Sequence, residues 1–100
     1  MFNFSEKEKN ILLCCLKREN DIFWWNNESF DFFEISKEEL FQILNRFHFY
    51  HLVRFFCQET YITELRVLDD VIFYLFDEGL ISKKECDLYL LRHSLGQREA

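Results

Sequence analysis

The sequence predicts a mainly α protein: a compact four-helix single domain with a short aromatic-rich β-hairpin or loop inserted after helix 1. Three observations lead there. A Ser followed three residues later by Glu, the capping-box signature, occurs at Ser5/Glu8, Ser36/Glu39 and Ser82/Glu85. Apolar residues recur behind each box at helical spacing. The 100 residues hold no Pro and only two Gly, so little interrupts a helix.

The first helix is expected over about residues 6–19, with Ile11, Leu12, Cys15 and Leu16 as its apolar stripe and Asn20-Asp21 as its stop. Residues 20–35 break the helical pattern and carry Phe23, Trp24, Trp25, Phe30, Phe32 and Phe33. Asn26-Asn27 suits a two-residue hairpin turn, because Asn tolerates left-handed backbone angles. An irregular loop is the alternative. In an extended segment neighbouring side chains point to opposite sides, so one of Trp24 and Trp25 is expected to anchor the insert and the other to face outward. An AT-rich codon usage would account for some of the thirteen Phe, but not for adjacent tryptophans.

A second helix is expected over about 37–57, with Leu40, Leu44, Phe47, His48, His51 and Phe55 on one face. Its other face is only partly polar, carrying Arg46, Phe49, Tyr50, Val53 and Arg54, so the helix is apolar nearly all round. A third is expected over about 61–78, ended by Gly79 in the left-handed conformation. A fourth is expected over about 83–95, ended by Gly96, with residues 97–100 frayed.

Composition narrows the function. The net charge is −6, from eighteen acidic and twelve basic residues. A nucleic-acid binder needs a basic face to neutralise phosphates, so direct nucleic-acid binding is not expected. No apolar run approaches the length of a membrane span. The start of the chain runs straight into charged residues, so no signal peptide is expected. The four cysteines, Cys14, Cys15, Cys57 and Cys86, form no CxxC pair and are expected as mostly buried free thiols in the cytoplasm, the host cytoplasm for a phage-encoded protein.

Catalytic and metal chemistry find little purchase. His48 and His51 have the i, i+3 spacing of metal ligands, with Cys57 or Cys86 as further donors, but neither CxxC nor HExxH accompanies them. The carboxylate pairs Asp69-Asp70 and Asp77-Glu78 diverge on a helix rather than converge. No Gly-rich phosphate loop is present. No enzyme activity, metal or cofactor is expected.

Two resemblances are carried by short motifs. The succession "SEKEKNILLCCLK", "ISKEELFQILNRF" and "DDVIFYLFDEGLI" is similar to the rhythm of winged helix-turn-helix regulators. That resemblance implies a recognition helix in the stretch leading into "GLI", which holds Glu64, Asp69, Asp70 and Asp77 against Arg66. The stretch "LFDEGLISKKE" resembles the short αα-hairpin at the C-termini of many bacterial proteins, an oligomerisation element.

In class, a small acidic chain without catalytic motifs resembles phage anti-defence inhibitors such as anti-CRISPR proteins, antitoxins and immunity proteins. The expected function is therefore non-catalytic: binding and inhibiting or neutralising another protein, foremost a basic nucleic-acid-processing enzyme. The alternatives are a winged-helix-type transcription regulator and a homo-oligomeric scaffold, with a homodimer compatible with either. The expected partner-binding residues combine aromatic anchors with acids: Trp24, Trp25, Glu28, Phe30, Asp31, Phe49, Tyr50, Asp69, Asp70, Phe73 and Asp77.

Overall fold

Each capping box begins a helix. The structure, a computed structural model, describes residues 3–19 and 21–99, with side chains through residue 95. It is mainly helical with one two-stranded antiparallel hairpin. The chain divides into two compact units, Met1–Leu68 and Asp69–Ala100.

In the first unit, α1 spans Glu6–Lys17. The Ser5 hydroxyl accepts from the Glu8 amide at 3.2 Å, and the Glu8 carboxylate accepts from the Ser5 amide at 3.0 Å. Ile11, Leu12, Cys15 and Leu16 are buried as the stripe requires. The helix closes two residues earlier than expected, and Asn20, part of its expected stop, lies outside the described residues.

The insert is neither hairpin nor loop but two short helices, α2 (Ile22–Asn27) and α3 (Ser29–Phe33). The chemistry that suggested a turn is spent on helix ends instead. Asp21 caps α2 by accepting from the Trp24 amide at 3.1 Å. Asn26 and Asn27 donate back to the carbonyls of Ile22 and Phe23, each at 3.0 Å, and Ser29 donates to the Trp25 carbonyl at 2.9 Å. Glu34, at φ 55°, ends α3.

The next helix, α4, spans Lys37–Phe49 and stops eight residues short of the expected end at 57. His51, at φ 60°, takes the chain out of the helix. Two strands follow where helix was expected: β1 (Val53–Gln58) and β2 (Tyr61–Val67), with Glu59-Thr60 as a two-residue loop. Ile62, Leu65 and Val67 are buried in β2, their spacing broken by a bulge, since Phe56 pairs with Glu64 while Cys57 pairs with Ile62. The region expected as one helix over 61–78 is therefore a strand followed by a separate helix.

The outer edge of β2 is covered by side chains. The Asn26 carboxamide accepts from the Ile62 amide at 2.8 Å and donates to the Ile62 carbonyl at 2.9 Å. Glu19 accepts from the Val67 amide at 2.7 Å. Backbone groups that would otherwise template another strand are thereby satisfied.

In the second unit, α5 spans Asp69–Asp77 and α6 spans Lys83–Glu99. Gly79, at φ 75°, ends α5 as expected, its amide bonding the Phe76 carbonyl at 3.0 Å. The Ser82/Glu85 box closes reciprocally at 3.1 and 3.0 Å. Gly96 does not end α6: the helix continues through residues 97–99, which were expected to fray, and Ala100 lies outside the described residues. His93 Nδ1 of α6 sits 2.8 Å from the Asp69 carboxylate of α5.

Candidate functional site

The tryptophans that headed the expected interaction residues belong to the interior. Trp24 is 3% exposed and Trp25 is fully buried, so neither indole faces outward. The reason is the helical backbone of α2: its neighbours are about 100° apart rather than opposed, so both rings can turn inward together. They meet edge to face at 4.8 Å. The Trp25 indole N–H donates to the Arg18 carbonyl at 3.0 Å, and the Arg18 guanidinium lies 4.6 Å over the Trp24 ring.

Two further aromatics of the same segment are exposed. Phe23 is 69% and Phe32 65% exposed. The Phe32 ring packs at 5.7 Å from Trp24 and 5.1 Å from Phe33, which itself touches Trp24 at 5.7 Å. Of the expected residues here, Glu28 and Asp31 are exposed and Phe30 is half-buried. Glu34 adds a further exposed acid. Among the described residues, Glu28, Asp31 and Glu34 make no ion pair, and no Lys or Arg occurs from Glu19 to Ser36. Phe23 and Phe32 were visible in sequence as aromatics of this segment, but the hairpin register hid which rings point outward.

The remaining expected residues fall into two further groups. Phe49 and Tyr50, at the end of α4, are exposed and touch at 5.5 Å, with Tyr50 also 6.2 Å from the buried Phe4. Asp69, Asp70, Phe73 and Asp77 are all exposed on α5 of the other unit. A stripe that the sequence reading missed, Leu88, Leu91 and Leu95, is exposed on α6.

The basic residues of the first unit are mostly matched by acids. Arg46 bonds Glu8 at 2.6 Å, Arg18 bonds Asp21 at 3.2 Å, Arg66 bonds Glu64 at 3.2 Å, and Lys7 lies 3.6 Å from Glu39. An open groove lined by Ser5, Lys7, Glu8, Glu39, Gln42, Ile43 and Arg46 contains two of these pairs. Its charges engage one another across it rather than converge on one reacting atom.

His48 and His51 do not share a helical face. His48 Nδ1 lies 3.2 Å from the Val53 carbonyl, and His51 lies in the turn beyond the helix. Among the described residues no group of three ligating side chains could hold a metal. The thiols are more varied than expected: Cys15 and Cys86 are buried, Cys14 is half-buried, and Cys57 is exposed on β1. Burial pushes the Cys15 thiol well up and the Cys14 and Cys57 thiols up, with Lys37 partly opposing the shift at Cys57. Each of these three shifts runs away from the thiolate form.

No described helix is long and apolar enough to cross a membrane. Compared with known protein families, with curated proteins and with solved structures, the chain matches none of them.

Proposed function

We propose that this is a non-catalytic protein that binds and inhibits or neutralises a basic protein partner in the cytoplasm, foremost a nucleic-acid-processing enzyme. The observation that carries this reading is the α2–α3 surface. Phe32 packs on the buried Trp24, Phe23 of α2 is equally exposed, and the exposed acids Glu28, Asp31 and Glu34 of the same segment make no ion pair among the described residues. Exposed aromatics fill apolar pockets on a partner, while Glu28, Asp31 and Glu34 match positive charge around them. Phe49 with Tyr50, and Asp69, Asp70, Phe73 and Asp77, are further candidate contacts on their own units.

The test uses two surface variants, Phe23→Ser/Phe32→Ser and Asp31→Lys, in quantitative affinity capture beside the unmodified chain. A partner captured by the unmodified chain is then purified and titrated with all three proteins at two salt concentrations. The expected result is binding weakened at least about tenfold by either variant, with an affinity that falls as salt rises. Equal binding by all three proteins overturns the reading.

A second reading, a winged-helix-type regulator, is supported by element order. From Glu6 to Val67 the chain runs through three helical regions and then a two-stranded hairpin. The helix before the hairpin is α4, not the stretch leading into "GLI" that the sequence resemblance marked. A gel shift with the purified protein at low and moderate salt separates the readings, because only the regulator binds duplex DNA alone.

A further inference from the structure

The second unit carries a feature that the α2–α3 surface does not explain. Helix α6 has two apolar faces. Cys86 is buried and Leu90 and His93 are half-buried on one side. About half a turn round the helix, Leu88, Leu91 and Leu95 are 53%, 56% and 47% exposed. Their i, i+3, i+7 spacing is that of successive a, d and a positions of a coiled-coil seam.

The flanking charges identify what covers this seam. With Leu88 at a and Leu91 at d, Asp87 takes the g position and Arg92 the e position. In a parallel two-stranded seam, the g residue of one helix lies beside the e residue five positions later on its partner. Asp87 of each chain would therefore meet Arg92 of the other, twice, by symmetry. Asp87 already accepts from Lys83 at 2.8 Å, but its carboxylate has room for a second donor. Arg92 is exposed, 5.7 Å from the Tyr89 ring, with no carboxylate partner among the described residues. We infer that the Leu88–Leu91–Leu95 face of α6 is a docking surface for α6 of a second copy of this chain, in parallel register. The surface is independent of the protein-binding reading above.

Three leucines per chain fall well short of the area of an obligate dimer. The dimer is therefore reversible, with a dissociation constant on the order of 10–100 μM. Sedimentation equilibrium of the full chain is the test. Leu91→Glu is expected to weaken association at least tenfold, and because Leu91 is exposed, circular dichroism should remain that of the parent. Asp87→Arg and Arg92→Asp each place like charges across the seam and are expected to weaken it severalfold. Mixed together, these two variants restore both attractive pairs and should recover the parent affinity as a heterodimer. A parent chain that stays monomeric up to about 0.5 mM overturns the inference, as does a dimer indifferent to Leu91→Glu. Failure of the mixed variants to recover overturns the parallel register.

Discussion

Replacing Asn26 by Ala should be among the most damaging single changes to the Met1–Leu68 unit outside its apolar core. The carboxamide makes three hydrogen bonds: one with each backbone group of Ile62, and one to the Ile22 carbonyl of its own helix. Ile62 is 1% exposed while Asn26 covers it, so its amide depends on this acceptor. An orphaned buried donor costs about 1–3 kcal/mol, and each further lost bond about 0.5–1.5 kcal/mol. The sum for the two Ile62 groups is roughly 2–4 kcal/mol, a large share of the 5–15 kcal/mol that typically holds a domain together. Both tryptophans lie in this unit, so a urea titration followed by indole fluorescence reports its unfolding directly. With a slope of about 1–3 kcal/mol per molar, the midpoint should fall by roughly 0.7–4 M. Asn27→Ala is the matched control, because Asn27 donates a single exposed bond to the Phe23 carbonyl. If Asn26→Ala falls within about 0.5 kcal/mol of that control, the side chain is not what closes the edge of β2, and the argument from unsatisfied backbone groups fails.

Three further perturbations test other parts of the structure. Indole emission of the folded chain should be blue-shifted and resistant to iodide, since both rings are buried; Trp25→Ala should cost roughly 3–5 kcal/mol, against which a solvent-like spectrum would place a tryptophan at the surface. Arg46→Ala should cost about 1 kcal/mol by urea titration, because Arg46 is half exposed while the Glu8 carboxylate it bonds is mostly buried; no loss at low salt would show that Glu8 needs no cation. Native alkylation followed by peptide mass spectrometry should label Cys57 ahead of Cys14 and leave Cys15 and Cys86 protected. Burial raises the Cys57 thiol, so less thiolate is present near neutrality and its labelling rate should climb as pH rises beyond the ordinary thiol range, whereas a rate already maximal at pH 7 would contradict that shift.

How much of this was legible in the sequence depends on the range of the deciding contact. The starts of α1, α4 and α6 are legible because a capping box is a complete local signal: the donor and acceptor are three residues apart. The end of α5 is legible for the same reason, through Gly79. The β-hairpin is not. Its two-residue loop is Glu59-Thr60, without the Asn-Gly chemistry that marks such turns, although Glu59 adopts φ 58°. The bulge in β2 also breaks the strict alternation that marks a strand. Asn26-Asn27 has the turn composition but not the turn. Asn26 is placed by a bond spanning 36 residues, to Ile62, which no local pattern records. The exposure of Phe23 and Phe32 was hidden by the same error, since a helix and a strand aim the same side chains differently.

Charge pairing separates the two functional readings more sharply than net charge does. A DNA-binding face requires cations that can exchange counterions for phosphates. In the first unit Arg18, Arg46 and Arg66 each hold a carboxylate within 3.2 Å, so binding DNA there would first break an existing pair. Lys17, Lys37 and Arg54 make no ion pair among the described residues, and they lie on separate elements, α1, α4 and β1. The acids of α2–α3 stand in the opposite condition: Glu28, Asp31 and Glu34 are exposed and hold no cation, so their field reaches solvent within the screening length. Phe32 needs little ordering on contact, because it already packs on the Trp24–Phe33 base. A preformed apolar anchor on a segment with three unpaired acids is what supports the proposal of a basic protein surface over a nucleic acid. Asp31→Lys should consequently weaken partner binding more at low salt than at high salt, while Phe32→Ser weakens it equally at both. The reverse ordering would mean that charge and ring do not act on the same contact.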